Sequence, residues 1–287
     1  MTRARLDTRF NLLGSTSSAF VSQDDWDSHW DDFSEANERN PAQKFRLRLV
    51  MRLLEAKGPP RRLLDIGSGN GELLAAAARR WPGPELLGLE LSRSAIGQAA
   101  RKVPTARFRQ CNLLQPSGAD IANWATHAVC SEVLEHVDDP VAVLTNARAW
   151  LATGCFVVIT VPGGPMSAFD RHIGHRRHYS PADLRELMRA AGFEPLGVWG
   201  AGFPIFNLFR CLVIARGARL IDDARASSSE WSGGRIVRMA TAVFEPLFHL
   251  AGTRGRLGWQ TVGMCRKPLD QAASHATPRD ARRGIRA

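Results

Sequence analysis

Between Leu63 and Glu72 the chain reads as a short apolar run broken by one acid, then three glycines at alternate positions (Gly67, Gly69 and Gly71), then a helical pattern from Leu73. An apolar run that stops at glycine punctuation is the pattern of a buried parallel strand, and a helix opens at the turn. Glycine keeps a Cβ out of the path of a ligand, and the unpaired N–H groups of a helix start face that ligand. The unit is therefore a cradle for a nucleotide-like cofactor, and it commits the chain to a doubly wound α/β fold. Spacing narrows the choice. A G-x-G-x-x-G fingerprint counted from Gly67 would need glycine where Glu72 stands, and the chain has no Gly-Lys-Ser/Thr sequence of a P-loop after it.

The rest of the chain supplies strands and helices in alternation. Asn40-Pro41 is a helix start, with Phe45, Leu49 and Leu53 on one face. Strands are predicted at Leu86–Glu90, Ala106–Gln110, His127–Cys130, Phe156–Val161, Phe193–Trp199 and Trp259–Cys265, the last of them antiparallel. Asp139-Pro140 caps a helix predicted to run through Leu144 to Leu151 and end at Gly154. Before the core, Trp26, Trp30 and Phe33 stand at helical spacing, as in a lid helix. After it, an apolar segment broken only by Asn207 and Arg210, a polar loop at Asp222–Gly234 and a second apolar run from Met239 form a late insertion. The expected organisation is a tail and lid (1–40), a core (41–201), an apolar helical cap (202–257), a closing core strand (258–268) and a basic tail (269–287).

Charge is the one global feature that points elsewhere. The formal charge is +10, and of 38 basic residues only four are Lys. The arginines concentrate in the terminal segments and in one helix, a distribution of solvated tails more than of a nucleic-acid reader. Five cysteines without C-x-x-C pairing suit a reducing compartment. The N-terminus has no apolar signal-peptide region and no run reaches membrane-spanning length, so a cytoplasmic protein is expected, with contact at a membrane surface as an alternative.

Glu90 ends the second strand about twenty residues past the glycines, where a carboxylate can accept the hydroxyls of a ribose. The D-x-G-x-G-x-G motif at Asp65–Gly71 together with this acid resembles class I S-adenosylmethionine-dependent methyltransferases. Ser131-Glu132-Val133-Leu134-Glu135-His136 resembles their small-molecule branch, notably ubiquinone-type O-methyltransferases. The resemblance implies a mostly parallel, seven-stranded Rossmann-like sheet and S-adenosylmethionine as cofactor. It implies contacts from Asp65, Gly67, Ser68, Gly69, Gly71, Glu90, Leu91, Asn112, Leu113 and Ser131. Relatives carry aspartate where this chain has Asn112, whose amide oxygen can still accept a hydrogen bond.

If residues 132–136 form a helical turn, Glu132, Glu135 and His136 share one face. His136 and His175 are the candidate bases, with Glu132 beside them. The resemblance extends to small-RNA 2′-O-methyltransferases, in which such a Glu-x-x-Glu-His set joined by a later histidine holds magnesium. That implies a metal site of Glu132, Glu135, His136 and His175. Arg176 and Tyr179 are the candidate substrate contacts. The expected activity is O-methylation of a small or lipid-like molecule. An RNA methyltransferase and a non-catalytic cofactor-binding protein are the alternatives, and the apolar insertion reads either as a cap on the sheet or as a patch for a membrane surface.

Overall fold

A computed structural model of the chain describes residues 26–28, 30–31, 40–115, 119–226 and 243–269. Seven strands, β1 (Arg62–Ile66), β2 (Glu85–Glu90), β3 (Arg107–Gln110), β4 (Ala125–Ser131), β5 (Leu151–Pro162), β6 (Glu194–Ala201) and β7 (Gln260–Arg266), form one sheet in the order β3-β2-β1-β4-β5-β7-β6. All pairs are parallel except those of β7, which runs antiparallel to both β5 and β6. The chain winds outward from β1 to β3 and then returns to the other side of β1 as β4. Strand order thus reverses between β1 and β4, and the crevice beyond their carboxyl ends is where such sheets take ligands.

Helices flanking the sheet include α1 (Pro41–Glu55), α2 (Glu72–Arg80), α3 (Arg93–Lys102), α4 (Pro140–Ala147), α5 (Ala168–His172), α6 (Pro181–Ala190) and α7 (Ile205–Ala226). Strand alternation decides which face each leucine enters. Leu63 and Leu86 pack with Val50 and Leu54 of α1 and Leu74 of α2. Their neighbours Leu64 and Leu87 point to the opposite face, into a cluster that also holds Leu144 of α4 and Leu184 and Met188 of α6. Each such fully buried side chain contributes roughly 1.5–3 kcal/mol. A third cluster joins Phe45 of α1 to Phe206 of α7 and to Phe248, with ring centroids 6.0 and 5.6 Å from Phe45.

Several expected boundaries move for identifiable reasons. α4 ends at Ala147, a 3₁₀ turn spans Arg148–Trp150, and β5 begins at Leu151, where the sequence pattern predicts more helix. Gly154 is not a helix stop: its φ of 76° coincides with a register shift between β4 and β5, so the glycine marks a bulge. The turn predicted over 132–136 shortens to Leu134–His136, because Glu132 itself is left-handed with φ 56°. α7 continues through Asp222–Ala226, in place of the start of the predicted loop, and most of those residues are compatible with a helix. Phe33 and most of the predicted 222–234 loop lie outside the described residues, as do Met239 to Ala242 and most of the two tails.

Candidate active site

The glycine loop is tied to the end of β2. The amides of Gly67 and Ser68 both donate to the Leu89 carbonyl, at 2.8 and 2.9 Å, and the Gly69 amide donates to Glu90 Oε2 at 2.8 Å. Glu90 Oε1 accepts from the amides of Leu91 (2.8 Å) and Ser92 (2.9 Å). Gly69 has φ 50°, and a Cβ there would stand 2.5 Å from the ring of Trp30, so only glycine serves at this close approach. Asp65, buried beneath the loop, has its carboxyl pushed well up by burial and by the neighbouring Glu90 charge.

Two features of this cradle call for a ligand. A carboxylate has about four acceptor positions, and Glu90 has given three to amides, which leaves one on Oε2. The Ser68 hydroxyl is buried with no hydrogen-bond partner among the described residues. A ribose hydroxyl suits the open position on Glu90, so the residues present fit the cofactor that the sequence implies. Asn112 is engaged differently: its Oδ1 accepts the Leu114 amide at 3.0 Å, closing its own turn. The Leu113 carbonyl accepts from Asn146 at 3.1 Å, and Ser131 Oγ lies 2.7 Å from Thr160 Oγ1.

Trp26, Asp27 and Trp30 lie beside this loop. Asp27 accepts from Ser92 Oγ (2.6 Å) and the Ser94 amide (3.1 Å) at the start of α3, where a helix N-terminus favours an anion. Trp30 stacks on Gly69, and Trp26 meets the ring of His136 edge-on at 4.9 Å. One short segment thus touches both the glycine loop and the histidines on the same sheet edge.

Those histidines come from two places, the turn after β4 and the loop after α5. The ring centroids of His136 and His175 are 4.7 Å apart, and His175 Nδ1 lies 3.2 Å from His178 Nε2. Asp170, 1% exposed, sits 4.0 Å from each of those two nitrogens. It is gripped by Arg210 of α7 through two bonds of 3.0 and 2.8 Å and capped by Ser167. Burial pushes the Asp170 carboxyl up, but the Arg210 guanidinium and the Ser167 donors outweigh it and hold the group at about 2. Burial, reinforced by His136, pulls His175 down to about 3, so its ring is neutral at physiological pH. Glu135 is 0% exposed, neither of its oxygens has a hydrogen-bond partner among the described residues, and burial and Glu132 push its pKa well up.

Glu132 does not join this cluster. Its left-handed backbone turns the carboxylate toward Arg46 (2.9 Å), Thr160 (3.1 Å) and Gln260 (3.0 Å), on α1, β5 and β7. The four-residue metal set is therefore corrected: of its members Glu135, His136 and His175 alone bring ligand atoms within 4.8 Å of one another, and His175 shares a second such group with Asp170 and His178. Two imidazoles and one buried carboxylate do not meet magnesium's demand for oxygen ligands, so the residues present do not fit the implied ion. The feature that carried the RNA reading goes with it.

The substrate residues also change. Tyr179 is 4% exposed, donates to the Leu134 carbonyl at 2.9 Å and belongs to the main core cluster. It holds the 134–136 turn in place, and it is not available to an acceptor. Arg176 pairs with exposed Asp138. Sequence reasoning missed Arg46, Gln260 and Asp170. It did isolate Asn207 and Arg210 as the polar exceptions in an apolar segment, and both are anchors of α7: Asn207 bonds Leu257 and Trp259 (2.8 and 3.0 Å), and Arg210 bonds Asp170.

Comparison with known proteins agrees with this architecture. The family model for a methyltransferase domain matches residues 37–198. A ubiquinone biosynthesis O-methyltransferase of Aeromonas salmonicida (strain A449) is 27% identical over 170 residues, which are 52% of this chain and 70% of that enzyme. A trans-aconitate 2-methyltransferase of Afipia carboxidovorans is 36% identical, but over 64 residues, 21% of this chain and 25% of its own length. Among solved structures, an S-adenosylmethionine-dependent methyltransferase from Thermotoga maritima superposes with a TM-score of 0.53 at 16% identity, covering 84% of this chain and 95% of that one. At that identity the likeness speaks for the fold.

Proposed function

This chain belongs to the methyltransferase-domain family, and from that premise we propose that it O-methylates a small, partly apolar acceptor. It is an S-adenosylmethionine-dependent methyltransferase; the acceptor and the roles of individual residues are the proposal. The observation that carries it is the meeting, at the crevice where strand order reverses, of a glycine cradle ended by Glu90 and a half-buried histidine cluster. The bound cofactor supplies an electrophilic methyl group on a sulfonium.

In this reading the open position on Glu90 Oε2 accepts a ribose hydroxyl and the unpartnered Ser68 hydroxyl turns to the ligand. Trp30 packs directly on Gly69 and shields that side of the loop, and water is excluded where Trp26 meets His136. His175, between His136 and His178 in the cluster, is the group placed to remove the acceptor's hydroxyl proton. An apolar acceptor is supported by α7 and the segment after it, which expose Leu208, Leu212, Leu257 and Leu250, the last at 70%. Among the described residues no helix is long and apolar enough to cross a membrane.

Calorimetric titration with S-adenosylhomocysteine, followed by transfer of labelled methyl to a panel of phenols, catechols and hydroxylated lipids, tests the proposal. Saturable binding with label on oxygen is expected. Label only on nitrogen or carbon overturns the oxygen assignment, and binding without turnover of any acceptor favours a non-catalytic role. Turnover is expected to survive a chelator such as EDTA, because the charged partner of Glu132 is Arg46.

A further inference from the structure

The histidine cluster is ordered in a way that its residue types alone do not require. His178 Nδ1 lies 3.1 Å from the carbonyl oxygen of Gly164. A carbonyl can only accept, so Nδ1 of His178 carries the proton. In a neutral imidazole the other nitrogen is then an acceptor, and His178 Nε2 faces His175 Nδ1 at 3.2 Å. That bond forms only if His175 carries its proton on Nδ1, which leaves Nε2 of His175 as its lone-pair nitrogen.

We propose that the Gly164 carbonyl, acting through His178, locks His175 in the tautomer whose basic nitrogen is Nε2, making His178 a positioning residue for methyl transfer. This rests on the assignment of His175 as the base. The arrangement has the logic of a nucleophile–base–orienter set, in which a third group decides which ring nitrogen works. With the cofactor bound, its methyl carbon would bond to the acceptor oxygen, and the electron pair of the broken carbon–sulfur bond would stay on sulfur. The acceptor's hydroxyl proton passes to Nε2 of His175, while the Nδ1–H of His175 stays hydrogen-bonded to His178 Nε2. The imidazolium later returns that proton to water.

The surroundings suit a charge that appears only during the reaction. Asp170 stands 4.0 Å from both nitrogens of the shared bond, too far to accept the proton in their place but near enough to steady a cation. Its four hydrogen bonds from Arg210 and Ser167 hold the carboxylate in position and moderate its pull. The other groups facing His175 are His136 and Glu135 from the turn after β4. The backbone is equally constrained: the His175 amide bonds the Asp170 carbonyl at 2.9 Å and the Arg176 amide bonds the Glu135 carbonyl at 2.7 Å. His175 cannot readily turn its ring over without losing the bond to His178.

Imidazole nitrogen shifts of the full chain labelled with ¹⁵N-histidine, assigned with single His175→Gln and His178→Gln variants, read the tautomer without any acceptor. At neutral pH both rings are expected to be protonated on Nδ1 and bare on Nε2. In His178→Phe the His175 signal is expected to shift toward the Nε2–H form. In His178→Gln, whose amide oxygen can replace the lost acceptor, it is expected to return to Nδ1–H. With an acceptor in hand, His178→Phe lowers kcat by on the order of 10²-fold, with S-adenosylhomocysteine affinity unchanged. A His175 bare on Nδ1 in the unmodified chain overturns the proposal, and so does a tautomer indifferent to His178→Phe. Binding of S-adenosylhomocysteine by the same sample reads the parent function separately. The unmodified chain decides the tautomer even if a variant fails to fold.

Discussion

Arg210→Ala should loosen the hold of α7 on α5, which carries Asp170. Asp170 is 1% exposed and Arg210 gives it two hydrogen bonds across from α7. A carboxyl held at about 2, against an ordinary value of about 4, corresponds to roughly 2–3 kcal/mol of stability at neutral pH. Breaking a buried pair by removing one partner typically costs about 3–5 kcal/mol, since the remaining charge stays buried. The two routes meet near 3 kcal/mol, or roughly 6–12 °C in Tm for a chain of this size. The pH dependence is set by the sign of the shift. Because the folded pKa is depressed, the Asp170 contribution is present above pH ~4 and is lost as pH falls toward 2. In Arg210→Ala burial dominates and the Asp170 pKa rises, so the penalty of the variant shrinks on acidification from pH 7 to 4.5. Urea unfolding at several pH values measures both. In an Asp170→Asn background, Arg210→Ala should cost less than ~1 kcal/mol. An equal cost in both backgrounds, or a penalty flat with pH, would refute the pairing argument.

Other perturbations probe the site one contact at a time. Gly69→Ala places a Cβ 2.5 Å from Trp30 at a left-handed φ, so S-adenosylhomocysteine affinity should fall by on the order of tenfold or more in calorimetry while the fold persists. Glu135 has a raised folded pKa, so its contribution is present below pH ~4.5 and is lost as pH rises through the folded value. Glu135→Gln should therefore stabilise the chain more at pH 8 than at pH 5, and equal melting shifts at both would contradict that. Tyr179→Phe removes one buried hydrogen bond and should cost about 1 kcal/mol in urea melts while leaving the acceptor's KM unchanged. A raised KM would return Tyr179 to the substrate set.

The cofactor half of the site was legible because it is local. Strand, glycine turn and helix succeed one another in Leu63–Leu74, and Glu90 ends the next strand, so neighbouring parallel strands bring them together by fold rule alone. The carboxylate's open acceptor position was not legible, since three amides of its own turn and of the glycine loop had to be found first. The shape of residues 132–136 was misread because spacing supplies a helical face but says nothing of a left-handed residue that opens the turn. Once Glu132 turned, its partner became Arg46, a side chain on a helix that precedes the whole sheet.

By itself, then, the sequence determined the alternation of strands and helices, the cradle at Gly67–Gly71, and the histidines that stand near it. Those rest on short-range periodicity and on the conformations that glycine and proline permit. The tertiary structure alone decided which charges neutralise one another. Asp170 chose Arg210, Glu132 chose Arg46 and Tyr179 chose the Leu134 carbonyl. Burial raises the cost of an unpaired polar group, and the partner that lowers it is whatever residue the packing brings within about 3 Å, however distant in the chain.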